Sequence, residues 1–132
     1  MHKVVPVMII LAEIMILLLV ACGAGGGSDP AARAVESYLN ALVSKDMNRL
    51  STLSCAEWAT DALAELDSLQ AVSVRLEDLS CQTSDTDGST TLVSCYGKLL
   101  ATYDGEDQEL DISGRTYQVV QQAGEYLMCG YR

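Results

Sequence analysis

An apolar run near the start of the chain limits what the rest of the sequence can become. The run extends from Val4 to Leu19, follows the basic start Met1-His2-Lys3 and ends in small residues. This order is typical of an export signal. The alternative is a transmembrane anchor, but Pro6 and Glu13 interrupt the run, and a charge at mid-bilayer costs about 2.5–3.5 kcal/mol. Either interpretation places the remaining chain outside the cytoplasm, because the positive end stays inside.

The run closes on Leu19-Val20-Ala21-Cys22, and a glycine-rich stretch follows it. These four residues resemble the lipobox of bacterial lipoproteins. The resemblance implies that residues 1–21 are a lipoprotein signal peptide, that the Cys22 thiol receives a diacylglycerol group, and that residues 22–29 form a tether. We therefore expect a protein of the bacterial cell membrane, lipid-anchored through Cys22 and facing the extracytoplasmic side. Cleavage as an ordinary signal, without lipid, is the other alternative.

The cysteines beyond this point fit an exported protein. If Cys22 carries the lipid, Cys55, Cys81, Cys95 and Cys129 remain. An even number of cysteines in a small exported domain favours two disulfides. A zinc site is the alternative, but four-cysteine sites usually contain paired Cys-x-x-Cys motifs, and the sequence has none. Four cysteines allow three pairings, so composition alone does not choose among them.

The charge of the chain excludes one class of partner. The net charge is −10, from 18 acidic and 8 basic residues. The predicted signal holds one residue of each sign, Lys3 and Glu13, so its removal leaves this net charge unchanged. Acidic surfaces repel phosphate backbones, and no Lys or Arg cluster provides a footprint, so we expect no nucleic-acid partner. We expect membrane contact through the lipid on Cys22.

Loss of the signal also removes an important catalytic side chain. The one histidine of the sequence is His2, which lies in the predicted signal. Without imidazole the mature domain cannot use a Ser-His or Cys-His mechanism or bind a metal through histidine. We predict no catalytic residue, no cofactor and no metal site. The segment Asp85-Thr86-Asp87-Gly88 is similar to part of a calcium loop, but it lacks the closing glutamate, and a hairpin turn is the preferred interpretation.

Helices are predicted first along the chain. Asp29-Pro30 combines an N-cap residue with proline at the first helical position, and a break follows at Ser44-Lys45. Asp46 can cap a short second helix, and a third amphipathic segment begins near Cys55. Apolar residues recur at helical spacing in the three segments, at Val35, Tyr38, Leu39 and Leu42, then Met47, Leu50 and Leu53, then Trp58, Ala62, Leu66 and Leu69.

From Ala71 the apolar spacing becomes alternating, which predicts strands. The first runs from residue 72 to a turn at Thr86–Ser89, and the others cover about 90–103, 109–121 and 126–131. A change of parity predicts a bulge near Glu77-Asp78, and Gly114 marks an irregularity in the third strand. The expected fold class is α+β, with N-terminal helices packed on a curved, bulged four-stranded antiparallel meander.

This order of elements resembles the cystatin-like cone of the nuclear transport factor 2-like superfamily. Local similarity to small bacterial lipoproteins of that group lies at Val35–Leu39, Lys45-Asp46 with Leu50, Val93–Lys98, Gly124–Tyr126 and Cys129–Tyr131. The resemblance covers about residues 30–132 and implies one cone-like domain over that range. In such a cone the sheet curls around the helices and can enclose a pocket. Fewer predicted strands than in the fuller members imply a shallower pocket here.

The predicted hairpin favours one pairing of the cysteines. If its turn is centred at Gly88, Cys81 lies opposite Cys95, so a cross-strand disulfide can join them. Cys55 would then join the helical layer to Cys129 in the last strand. This pairing depends on the turn, because a register shift of one residue moves every side chain to the other face.

Two functions from different classes fit this domain. The first is a non-catalytic extracytoplasmic protein that binds a protein partner or a small apolar ligand on the concave face of the sheet. The second is a small pocket enzyme of the isomerase or dehydratase type, in which a buried Asp acts beside a tyrosine. The aromatic residues that would line such a pocket are Tyr38, Trp58, Tyr103 and Tyr117, although aromatics at these spacings more often pack in a core. We predict the first function.

Overall fold

The computed structural model describes residues 29–132. The predicted signal peptide (1–21), Cys22 and the tether up to residue 28 lie outside the described residues. In the part of the chain that is described, no helix is long and apolar enough to cross a membrane. The architecture over this range is α+β, with helices packed against one antiparallel sheet.

The predicted helices are confirmed and both predicted aspartate caps are present. Within residues 29–132 the helices are α1 (Pro30–Val43), α2 (Met47–Thr52) and α3 (Ala59–Ser68). The Asp29 side chain accepts the Ala32 N–H at 3.1 Å, and the Asp46 side chain accepts the Arg49 N–H at 3.0 Å. Each carboxylate therefore binds a backbone donor that has no partner inside its own helix.

A single open sheet contains all the strands of residues 29–132. These are β1 (Ser73–Asp87), β2 (Thr90–Tyr103), β3 (Glu106–Leu110), β4 (Thr116–Gln122) and β5 (Glu125–Tyr131). β1 pairs with one edge of β2, while β3 and β4 share the other edge, at Leu99–Tyr103 and Thr90–Ser94 respectively. β5 pairs with β4, so β2 is the strand that joins the two halves of the sheet.

The prediction of four strands is wrong, because the expected strand over residues 109–121 is two strands. β3 ends at Leu110 and β4 begins at Thr116. Between them the Asp111 carboxylate accepts the Gly114 N–H at 2.9 Å and the Ser113 hydroxyl at 3.1 Å. Such side-chain bonds give the backbone an alternative to the ladder. The irregularity predicted at Gly114 is this turn, and the described sheet has five strands.

The predicted bulge in β1 is confirmed. The register between β1 and β2 shifts between Glu77 and Ser80. Gly97 belongs to β2 and lies next to this bulge, with φ of +111°. A Cβ at Gly97 would lie 2.6 Å from the Glu77 carbonyl oxygen. Only glycine permits the two strands to approach so closely. A bulge also bends and twists its strand, which is how a long sheet can curve around a helix.

The hairpin between β1 and β2 has the expected cysteine pairing but not the expected turn position. Its turn is centred between Gly88 and Ser89, rather than at Gly88. This register alone would not bring Cys81 opposite Cys95, but a second bulge, at Ser84, restores the alignment. The two cysteine Cα atoms lie 4.1 Å apart and a disulfide joins the side chains.

A second disulfide joins Cys55, between α2 and α3, to Cys129 in β5. Backbone bonds attach the same segment to β5: the Cys55 N–H donates to the Met128 carbonyl at 2.9 Å, and the Met128 N–H donates to the Leu53 carbonyl at 2.8 Å. These bonds explain why α3 begins at Ala59 rather than near Cys55. The chain-entropy model gives about 4.5 kcal/mol for this bridge and about 3 kcal/mol for the hairpin bridge, because the sequence separations are 74 and 14.

Two acidic side chains, from the N-cap of α1 and from α1 itself, bind the outer edge of β1. The Thr83 N–H donates to Asp29 at 2.6 Å, and the Cys81 N–H donates to Glu36 at 2.9 Å. The core lies between α1 and the sheet, and helices and strands both contribute to it. Its largest fully buried side chains are Tyr38, Leu39, Leu50, Leu66, Ile112, Tyr117 and Met128.

Candidate functional site

Glu65 is a charged residue on the apolar side of α3. Trp58, Ala62 and Leu69 are spaced so that they and Glu65 share one face of the helix. The Glu65 side chain is accordingly turned inward and only 19% exposed. A carboxylate in such a position is costly unless other groups bind its oxygens. Its partners therefore decide what this part of the molecule can do.

Three different elements supply the partners of Glu65. The Tyr38 hydroxyl of α1 donates to Oε2 at 2.7 Å, and the Tyr131 hydroxyl of β5 donates to Oε1 at 2.6 Å. Arg115, just before β4, places Nη1 3.6 Å from Oε1. Hydrogen bonds from hydroxyls to carboxylates are short and stronger than neutral ones. The Glu65 cluster, defined as Glu65, Tyr38, Tyr131, Arg115 and Trp58, thus connects α1, α3 and the far end of the sheet.

Aromatic contacts complete the Glu65 cluster. Trp58 Nε1 donates to the Tyr38 hydroxyl at 3.0 Å, and the Trp58 and Tyr131 rings meet edge to face at 5.5 Å between centroids. The Arg115 guanidinium lies 4.1 Å from the Tyr131 ring centroid, a cation–π contact. In the described part of the chain, every fully buried side-chain nitrogen or oxygen has a hydrogen-bond partner. Within the cluster, each Glu65 oxygen accepts one tyrosine hydroxyl, and Arg115 adds an ion pair at Oε1.

Burial keeps the tyrosine hydroxyls protonated. Burial first, and the Glu65 carboxylate second, raise the pKa of Tyr38 far above its ordinary value. Burial and the hydrogen bond to Glu65 also raise the pKa of Tyr131, and burial raises the pKa of Tyr117 to about 12. These hydroxyls are thus donors over the whole physiological pH range. Each oxygen of Glu65 accepts a hydrogen bond from one of these hydroxyls, which fixes the orientation of the carboxylate.

A small cavity borders the cluster between α3 and the sheet. Its volume is 80 Å³, and Leu42, Glu65, Ser68, Leu69, Leu99, Leu110, Ile112 and Arg115 line it. Pockets for drug-sized ligands are typically about 300–1,000 Å³, so this cavity has room for only a few water molecules. Larger clefts of 350 and 310 Å³ are open grooves on the surface, beside Tyr126 and beside Met47.

The structure brings together three of the four aromatic residues expected from the sequence. Tyr38, Trp58 and Tyr117 lie in the interior, where Tyr38 binds Trp58 directly and Tyr117 reaches the same region through Tyr131, 5.9 Å away between ring centroids. Tyr103 lies apart from them, 58% exposed at the end of β2. None of the four lines the 80 Å³ cavity.

Sequence reasoning missed Glu65, Tyr131 and Arg115. A signal for Glu65 was present, because it is the one charged position in the apolar stripe that runs from Trp58 to Leu69. Tyr131 and Arg115 gave no comparable signal, because only the pairing of β4 with β5 brings them to α3. The carboxylate beside Tyr38 is therefore a glutamate from a helix, rather than the Asp that an enzyme site required.

Comparison with known proteins shows similarity of fold. No family model matches the chain, and no curated protein is significantly similar to it. Among solved structures, Aln2 from a Streptomyces species is 11% identical, with a TM-score of 0.53, over 75% of this chain and 82% of that chain. A SEC-C motif-containing protein from Rhodopseudomonas palustris is 14% identical, with a TM-score of 0.52, over 80% of each chain. A shared fold at this identity carries no function with it.

The raised tyrosine pKa values predict loss of stability at alkaline pH. The unfolded chain releases tyrosine protons near pH 10, whereas Tyr38 and Tyr117 keep theirs when folded. Above about pH 10 the folded state binds more protons, so the free energy of unfolding should fall by up to about 1.4 kcal/mol per pH unit for each such tyrosine. Urea unfolding from about pH 8 to 11, followed by Trp58 fluorescence, measures this slope.

The Tyr38→Phe variant should be less stable at neutral pH and should show a shallower loss above pH 10. Tyr96→Phe is the matched control, because Tyr96 is 58% exposed and its removal should leave the slope unchanged. Identical slopes for Tyr38→Phe and the parent protein would contradict the assigned burial of the Tyr38 hydroxyl.

Proposed function

We propose that this chain is a non-catalytic lipoprotein, anchored at the bacterial cell membrane through Cys22, whose cone-like domain binds a protein partner on the extracytoplasmic side. The anchor rests on Leu19-Val20-Ala21-Cys22 and the apolar run before it. The cone-like domain of the cystatin-like or nuclear transport factor 2-like kind rests on helices followed by a long, bulged sheet. No cofactor and no nucleic acid form part of this proposal.

The filled interior is the observation that supports a binding role over catalysis. Tyr38, Trp58 and Tyr131 occupy the space between helices and sheet, and hydroxyl donors engage both oxygens of Glu65. The alternative, an isomerase or dehydratase, needs an acid or base free to meet its substrate. Hydrogen bonds from two tyrosines and an ion pair with Arg115 support a structural role for Glu65.

The small cavity favours a protein partner over a small apolar ligand. A volume of 80 Å³ cannot enclose an organic ligand of ordinary size. Apolar side chains are instead exposed at the last residues of β2 and β3, where Tyr103 is 58% and Leu110 is 37% exposed. Exposed aromatic and aliphatic side chains are the usual anchors of protein interfaces.

The anchor is tested by metabolic labelling with palmitate. Cys22→Ala should abolish labelling and leave uncut precursor, because the thiol is the acceptor of the lipid. Ser28→Ala, in the predicted tether, is the matched control and should label normally. Palmitate incorporation into Cys22→Ala would contradict lipidation at this residue.

The partner-binding role is tested by photo-crosslinking in cells. Tyr96 and Tyr103 are equally exposed, at 58%, but lie on opposite faces of β2 because their positions differ in parity. A photoreactive phenylalanine at position 103, on the concave face, should give a discrete protein adduct at native expression level. The same probe at position 96 should not. Equal adducts from both positions, or none from position 103, would contradict a partner on the concave side.

A further inference from the structure

The outer edge of β3 is unpaired within residues 29–132. β3 pairs only with β2, and all of its residues are exposed. The outer edges of β1 and β5 are each bound in part by the chain itself: Asp29 and Glu36 bind β1 at Thr83 and Cys81, and the segment around Ser54 binds β5 at Met128. An exposed, unpaired edge is a place where another strand can add.

The hairpin between β2 and β3 determines which backbone groups point outward. Tyr103 pairs with Glu106 across the two-residue turn Asp104-Gly105. In such a hairpin the first pair exchanges hydrogen bonds, and every second pair along the ladder does the same. The N–H and C=O groups of Asp107 and Glu109 therefore point away from β2. They have the spacing that an incoming strand requires.

The surroundings of this edge are acidic. Five carboxylates lie within or beside β3, at Asp104, Glu106, Asp107, Glu109 and Asp111. Asp107 binds Arg75 at 2.7 Å and Glu109 binds Lys98 at 3.3 Å, whereas the other three form no ion pair among the described residues. A second copy of this chain would bring like charges face to face across the new pair, which destabilises it. A basic segment would be attracted instead.

The 80 Å³ cavity borders the same strand on its concave side. Leu110, at the end of β3, lines this cavity together with Leu99 and Ile112, and the charged Glu65 and Arg115 line another part of its wall. Side chains of an added strand would alternate between the two faces of the sheet. Those directed to the concave face would meet the part of this cavity lined by Leu99, Leu110 and Ile112, which has room for part of one aliphatic side chain.

We propose that the outer edge of β3 binds an extended segment of a partner protein by strand addition, and that lysine or arginine alternates with apolar residues in this segment. The proposal rests on the proposed partner-binding function and deepens it by naming the binding mode and the chemistry of the partner. Main-chain hydrogen bonds to Asp107 and Glu109 provide the pairing. The acidic surroundings and the Leu110 site select the side chains.

The test uses the purified full chain in detergent and a ten-residue probe peptide of alternating lysine and valine with blocked ends. Glu109→Pro removes the outward N–H without removing a β2–β3 hydrogen bond, since that group points away from β2. Glu109→Thr is the matched variant, because it loses the same charge but keeps the N–H. At physiological salt Glu109→Pro should bind the peptide about tenfold or more weakly than Glu109→Thr.

A second form of the probe keeps the test independent of the folding of the proline variant. Methylation of alternate backbone nitrogens on the peptide edge that faces β3 should weaken binding to the parent protein to a similar extent, whereas methylation on the other edge should not. Equal binding by Glu109→Pro and Glu109→Thr, no effect of methylation, or no binding by the parent protein would overturn strand addition. The crosslink from position 103 would survive that result if a partner binds the concave face in another way.

Discussion

The Glu65 carboxylate is the constraint on which the rest of the structure depends. It lies on the inward face of α3 and is 19% exposed, and burying a carboxylate there without hydrogen-bond donors would be costly. Tyr38 from α1, Tyr131 from β5 and Arg115 before β4 supply those donors. These bonds favour the arrangement in which the two layers meet here, since another arrangement would separate Glu65 from Tyr38, Tyr131 and Arg115.

The remaining elements hold that arrangement in place. The bulges at Glu77–Ser80 and Ser84 bend β1 and set its register, and the disulfide between Cys81 and Cys95 secures the hairpin. The disulfide between Cys55 and Cys129 fixes the segment before α3 to β5, next to Trp58 and Tyr131. The interior is consequently committed to internal contacts. The outer edge of β3 is different, because its five residues are exposed and no strand of residues 29–132 pairs with it.

Local physical rules predicted the parts of the fold that depend on neighbouring residues. Asp29 and Asp46 identified helix starts because a cap acts within one turn, and alternation gave the bounds of β2 directly. Alternation could not show that β3 and β4 are separate strands, because residues on both sides of Asp111 keep a strand-like pattern. The bulge at Ser84 gave no signal either. The Glu65 cluster joins residues far apart in sequence, so only Glu65 itself, a charge in an apolar stripe, could have been noticed.

The free energy of unfolding of Glu65→Leu tests the central claim most directly. If Glu65 holds the layers together, leucine leaves the Tyr38 and Tyr131 hydroxyls without their acceptor, and the loss should be about 2–4 kcal/mol. Asp67→Leu, on the exposed side of the same helix, is the matched control and should change stability by less than about 0.5 kcal/mol. Some buried ion pairs can be replaced by apolar residues without loss of stability, so the opposite result is physically possible. A Glu65→Leu variant as stable as the parent protein would contradict the role of Glu65 in holding the two layers together.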